Sequence, residues 1–115
     1  MISVLYVDDE STLLEITRIW LEQTGEFSVS TCPSAGNALE LPGLHSFDAI
    51  ISDYQMPHMD GIAFLRHLRD ANNKVPFILF TGKGREEVAI AALNSGADFY
   101  LQKGGDPQSQ FAELS

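Results

Sequence analysis

Four short apolar stretches of this chain end on residues able to do chemistry. Ile2–Val7 runs into Asp8, Asp9 and Glu10. The stretch 47–52 is followed by Asp53, the stretch 76–80 by Thr81 and Gly82, and Phe99–Gln102 by Lys103. If these ends meet, three carboxylates share one pocket with a hydroxyl and an ammonium. Crowded carboxylates repel one another and destabilise a fold unless a cation intervenes. The ligands on offer are hard oxygens, with no Cys or His pair, which favours Mg²⁺ over zinc or copper. Mg²⁺ keeps several waters and takes one or two carboxylates plus a phosphate oxygen, so the set reads as a Mg²⁺ site for a phosphoryl group. Lys103 supplies a point charge and Thr81 a donor, both suited to a phosphoryl or acyl-phosphate oxygen. Gly82 leaves space beside the site. Asp53 is the nucleophile candidate, because carboxylates form aspartyl-phosphates. In-line attack on a phosphoryl group needs mainly positioning and charge neutralisation, which metal, Lys103 and Thr81 could provide.

The elements between these ends decide whether they meet. Ile2–Val7 is apolar, partly β-branched and too short for a stable helix, so it reads as a buried strand. Ser11–Gln23 carries Leu13, Leu14, Ile16, Ile19, Trp20 and Leu21 in a broad helical stripe that Gly25 can stop. Residues 27–31 alternate like a strand nearer a sheet edge, and 34–41 form a short helix before Pro42-Gly43. The spacing then predicts strands over 47–52, 76–80 and Phe99–Gln102. It predicts helices over 61–71 and 86–95, the latter closed by Gly96 and carrying acids in its first turn, where the helix dipole favours them. Asp106-Pro107 reads as the cap and first position of a last helix. Strand and helix alternate five times. That pattern implies an α/β fold with a parallel sheet covered on both faces, in which ligands sit at the carboxyl ends of the strands.

Composition narrows the partners. The chain has 115 residues, 44% of them hydrophobic, enough for one domain, 1–115, with one core. Seven Lys and Arg face 16 Asp and Glu, a net charge of −9. Direct nucleic-acid binding needs clustered cations, so it is not expected, and neither is an anionic membrane surface. The acids are dispersed among apolar residues, unlike a disordered tail. One cysteine, Cys32, excludes an internal disulfide and a Cys-pair metal site. No apolar run approaches the roughly 18 residues of a membrane span, and the N-terminus lacks the basic flank of a signal peptide. A cytoplasmic location is expected.

With these residues in view, the chain resembles the receiver domain of two-component response regulators. The resemblance rests on Asp8-Asp9 after the first strand, on the stretch Asp53-Tyr54-Gln55-Met56-Pro57-His58-Met59-Asp60-Gly61, on Thr81-Gly82 and on Lys103. It covers nearly the whole chain. It implies a flavodoxin-like doubly wound (βα)5 fold with strand order 2-1-3-4-5. It implies that Asp53 accepts phosphate from the phosphohistidine of a histidine kinase or phosphotransfer protein. Mg²⁺ would be bound by Asp9, Asp53 and the backbone carbonyl of Gln55, with Asp8 acting mostly through water. Thr81 and Tyr100 match the family's switch pair, in which the hydroxyl moves toward the phosphate and the ring follows inward. The domain would be regulatory rather than an enzyme, assisting only its own phosphorylation and dephosphorylation, with Gln55, Gly82 and Lys83 as modulating positions. The readout surface would be the fourth helix, fifth strand and fifth helix, facing a downstream protein or a fused output domain, with a phosphorylation-dependent dimer as a further expectation. Two departures stand out. The family usually has proline after the lysine, where this chain has Lys103-Gly104-Gly105, and its fifth helix normally runs longer, so the last helix is expected to be short or truncated.

Plainer readings compete for single residues. Asp8-Asp9 alone could cap the following helix, Thr81-Gly82 alone is a turn signal, and Lys103 alone is a surface lysine. Convergence of all of them favours the site. His45, His58 and His67 lack a second His at metal-binding spacing and are expected to be exposed or structural. Trp20 and Cys32 are expected to pack in the core. Two other functions are weighed. An aspartyl-phosphate hydrolase shares the aspartate–Mg²⁺ chemistry, but Gln55 stands where its general acid would be and no cap insertion encloses a substrate. A constitutive interaction module would not need the intact acids, threonine and lysine.

Overall fold

The computed structural model describes residues 1–81 and 86–102. Five strands, β1 (Ile2–Val7), β2 (Phe27–Cys32), β3 (Ala49–Asp53), β4 (Phe77–Thr81) and β5 (Phe99–Gln102), form one sheet in the order β2-β1-β3-β4-β5. All four ladders are parallel. Helices α1 (Ser11–Gln23), α2 (Ala35–Leu39), α3 (Gly61–Asp70) and α4 (Glu86–Asn94) make the crossovers, and a 3-10 turn (Leu44–Ser46) precedes β3. This is the flavodoxin-like topology expected, with β2 at the edge. The last helix expected from Asp106-Pro107 lies outside the described residues.

Strand side chains alternate between faces. Leu5, Val7, Ile50, Phe77 and Leu79 pack with Ala35, Ala38, Phe64, Leu65, Leu68 and Ala92 beneath α2, α3 and α4. Val4, Tyr6, Phe27, Val29, Ile51 and Phe80 pack on the other face with Leu14 and Leu21 of α1, and Trp20 leans on this cluster half-buried. α1 and α3 therefore lie on opposite faces, and the connections that enter them leave the sheet from the same rim. Gly25 and Gly96 end α1 and α4 with φ of 75° and 104°, the left-handed conformation that glycine adopts without strain. Among the described residues, no helix is long and apolar enough to cross a membrane.

Several boundaries move by a residue or two, for physical reasons. Ser34 is not in α2 but caps it, its hydroxyl accepting from Asn37 N at 3.1 Å. β3 starts at Ala49, after Asp48 turns its carboxylate back to accept from the backbone and hydroxyl of Ser3 at 2.8 and 3.1 Å. β3 and β4 extend one residue further than expected, to Asp53 and Thr81, and Asp53 pairs with Phe80 across the ladder. The two functional candidates are thus the last ladder residues of central strands rather than the first loop residues.

Candidate functional site

Asp8, Asp9 and Asp53 come together at the carboxyl ends of β1 and β3. One carboxylate oxygen from each lies within 4.8 Å of the others. Asp8 and Asp53 are buried, at 0% and 5% exposure, while Asp9 faces solvent. Backbone bonds fix this rim. Asp8 N–H donates to Cys32 O at 3.1 Å and Tyr54 N–H to Phe80 O at 2.9 Å, continuing the two ladders past the strand ends.

Asp8 is held at both oxygens. The Tyr6 hydroxyl donates to Oδ2 at 3.0 Å and the Glu10 backbone N–H donates to Oδ1 at 3.0 Å. Burial, and after it the charge of Asp8, pushes the Tyr6 phenol far above its ordinary pKa, so it remains a donor. Asp8 is not the cap of α1; that position falls to Glu10, whose side chain makes no capping bond.

Asp53 is seated from below. Its backbone carbonyl accepts from Ser52 Oγ at 3.0 Å. Gly61, the first residue of α3, donates its N–H to Tyr54 O at 2.8 Å. A Cβ at Gly61 would lie 2.4 Å from the Asp53 carbonyl oxygen and 2.7 Å from Leu79 Cδ1. Only glycine lets α3 start this close to the phosphoacceptor candidate. Asp60 caps the same helix, its Oδ1 accepting from Ala63 N at 2.8 Å.

Beside the acids opens a cleft of about 410 Å³, lined by Asp9, Tyr54, Gln55, Met56, Pro57 and Asp60. Asp9 and Gln55 thus line the same cleft. Thr81 is buried at the end of β4. Tyr100 is half-buried against the α3–α4 cluster. Leu79 pairs with Tyr100 and Thr81 with Gln102, so Thr81 and Tyr100 are diagonal neighbours on one face of the sheet. Tyr100 is the second residue of β5. Gly82, Lys83 and Lys103 lie outside the described residues. His45, His58 and His67 are exposed, and His58 has a φ of 70°. Cys32 is buried, and burial raises its thiol pKa.

Residue-type reasoning passed over Tyr6, Ser52 and Gly61. A signal existed for Tyr6: a tyrosine two residues before an aspartate, at the end of an aliphatic strand, points to the same side as that aspartate.

The family model for the response regulator receiver domain matches residues 4–114. Response regulator Rre1 of Synechocystis sp. is 36% identical over 108 residues, covering 92% of this chain and 47% of that protein. A response regulator receiver domain protein from Clostridium thermocellum has a solved structure with 31% identity and a TM-score of 0.82, over 94% of this chain and 86% of the other. The Francisella response regulator 1452 receiver domain gives 28% identity and a TM-score of 0.88, over 99% and 93%. The chain belongs to the response regulator receiver domain family. It spans about half the length of the curated relatives it matches. Membership makes it a regulatory domain of two-component signalling with a phosphoacceptor role.

Proposed function

We propose that this domain is a Mg²⁺-dependent switch whose phosphoacceptor is Asp53. The observation that carries this reading is the gathering of three carboxylate oxygens within 4.8 Å at the ends of two central strands, two of the three residues being buried. So much negative charge taken from water calls for a cation, and an all-oxygen set suits Mg²⁺. Asp9, Asp53 and the Gln55 carbonyl would hold the ion, with Asp8 acting through water. The ion would neutralise charge on the transferring phosphoryl group.

Asp53 attacks a phosphohistidine phosphorus through one carboxylate oxygen; an O–P bond forms, the P–N bond breaks, and the imidazole leaves with the electron pair. The open cleft beside Asp9 admits the donor. Thr81 and Lys103 then bind phosphoryl oxygens, and Tyr100 follows Thr81 inward, shifting a two-state equilibrium. Gln55, Gly82 and Lys83 tune the lifetime of the phosphoryl group. The donor is a histidine kinase or phosphotransfer protein, and the readout is a downstream protein or fused output domain, with phosphorylation-dependent pairing as one form of output. A cytoplasmic site of action fits this chemistry.

The test is titration with beryllofluoride, a phosphoryl mimic, in the presence of Mg²⁺, followed by amide NMR. Saturable shifts spreading from Asp53 to Thr81 and Tyr100 are expected in the wild type and not in Asp53→Asn. No shift in the wild type, or the same shift in Asp53→Asn, overturns the proposal.

A further inference from the structure

We infer that Tyr6 is a positioning residue for the cation site: its phenol holds the Asp8 carboxylate turned toward Asp9 and Asp53. This rests on the reading of the three carboxylates as a Mg²⁺ site.

Tyr6 and Asp8 are two residues apart along an extended segment, so both side chains leave the sheet on the α1 side. The Tyr6 ring is fully buried and sits 6.2 Å from Phe80, centroid to centroid. Its position is therefore set by core packing, not by the acid. From that fixed ring the hydroxyl reaches Asp8 Oδ2 at 3.0 Å. The Glu10 backbone N–H holds the other oxygen at 3.0 Å. Two donors on opposite oxygens leave the carboxylate no free rotation about its last bond.

That restraint matters because of what Asp8 faces. A carboxylate beside two others turns away from them if it can. Pinned at both oxygens, Asp8 stays in the cluster, where a cation can bind it. Outer hydrogen bonds of this kind orient metal ligands, and losing one typically costs 10–100-fold in metal affinity or activity. Removing the Tyr6 hydroxyl while keeping the ring takes away one of these two donors and leaves the packing on Phe80 intact.

The variant is Tyr6→Phe in the full chain, with Mg²⁺ as the probe. Two quantities are read: the Mg²⁺ dissociation constant from amide NMR shifts, and the rate of phosphorylation by acetyl phosphate as a function of Mg²⁺. The dissociation constant and the half-saturating Mg²⁺ should both rise about 10-fold, while the rate at saturating Mg²⁺ stays within about twofold of the wild type. A merely structural defect would instead lower the saturated rate. Should Tyr6→Phe fold poorly, the wild type carries the test alone. The buried Tyr6 hydroxyl proton should give a slowly exchanging downfield resonance that moves on Mg²⁺ binding. An unchanged Mg²⁺ affinity in Tyr6→Phe, or a hydroxyl proton that Mg²⁺ leaves in place, overturns this inference and leaves the cation site standing. A wild type that binds no Mg²⁺ overturns both.

Discussion

Gly61→Ala tests how tightly the site is built into the fold. The added methyl would fall 2.4 Å from the Asp53 carbonyl oxygen, about 1 Å short of ordinary contact, and 2.7 Å from Leu79 Cδ1. The first obstacle is backbone at the end of a central ladder, so it cannot swing aside as a flexible side chain would. Two hydrogen bonds meet there, Gly61 N–H to Tyr54 O and Ser52 Oγ to Asp53 O. Overpacking of a core costs about 1–3 kcal/mol, and weakening one bond adds about 1 kcal/mol. Gly61→Ala should therefore lose about 2–4 kcal/mol in urea unfolding, leaving a folded majority if the domain has ordinary stability. A displacement of about 1 Å at a reacting group can cost about 100-fold in rate, and a fall of that order is expected in phosphorylation by acetyl phosphate. Gly36→Ala is the control. It lies within α2 with no atom within 4 Å of the new methyl, so it should gain about 0.5–1 kcal/mol. If Gly61→Ala matches the wild type in both stability and rate, the close approach of α3 to Asp53 does not constrain the site, and the reasoning fails.

Two further outcomes follow from buried and bonded polar groups. Thr17 is fully buried on α1, and its hydroxyl has no hydrogen-bond partner among the described residues. Thr17→Val should therefore raise stability by about 1 kcal/mol in chemical denaturation; a loss would mean that the hydroxyl is paired with the neighbouring Tyr6 phenol. Asp48 has its pKa lowered by the Ser3 backbone N–H and then the Ser3 hydroxyl. Its contribution is present above the ordinary carboxylate pKa of about 4 and is lost as pH falls through the lower folded value. Wild-type Tm should drop more steeply below about pH 4 than that of Asp48→Ala, and parallel acid limbs would contradict this.

Much of the site was legible in the sequence because the rule that places it is simple. Buried parallel strands deliver whatever follows them to one rim, so Asp8, Asp9 and Asp53 could be placed together by position alone, with Thr81 at the end of the strand beside Asp53. The strand order and the edge position of β2 followed from the family resemblance and the alternating elements. What escaped depends on neighbours distant in the chain. The extension of β3 to Asp53 is set by pairing with Phe80. The start of β3 is set by Asp48 turning to Ser3, 45 residues away. The 3-10 turn Leu44–Ser46 buries Leu44, a tertiary gain that no local pattern announces. The same holds for Gly61, whose lack of a side chain matters only because Asp53 lies beneath it, and for Tyr6, which reads as one more core aromatic until its hydroxyl meets Asp8.

On this reading Asp53 takes the phosphoryl group with the help of a cation. This is tested by intact-protein mass after incubation with acetyl phosphate and Mg²⁺, followed by borohydride reduction of the acyl phosphate and peptide mapping. A mass increase of one phosphoryl group is expected before reduction; borohydride then expels the phosphate and leaves an alcohol (homoserine) at position 53, and both signals should vanish when Mg²⁺ is chelated and in Asp53→Asn. A wild type that gains no phosphoryl group, or reduction mapped to another residue, rules out Asp53 as the phosphoacceptor.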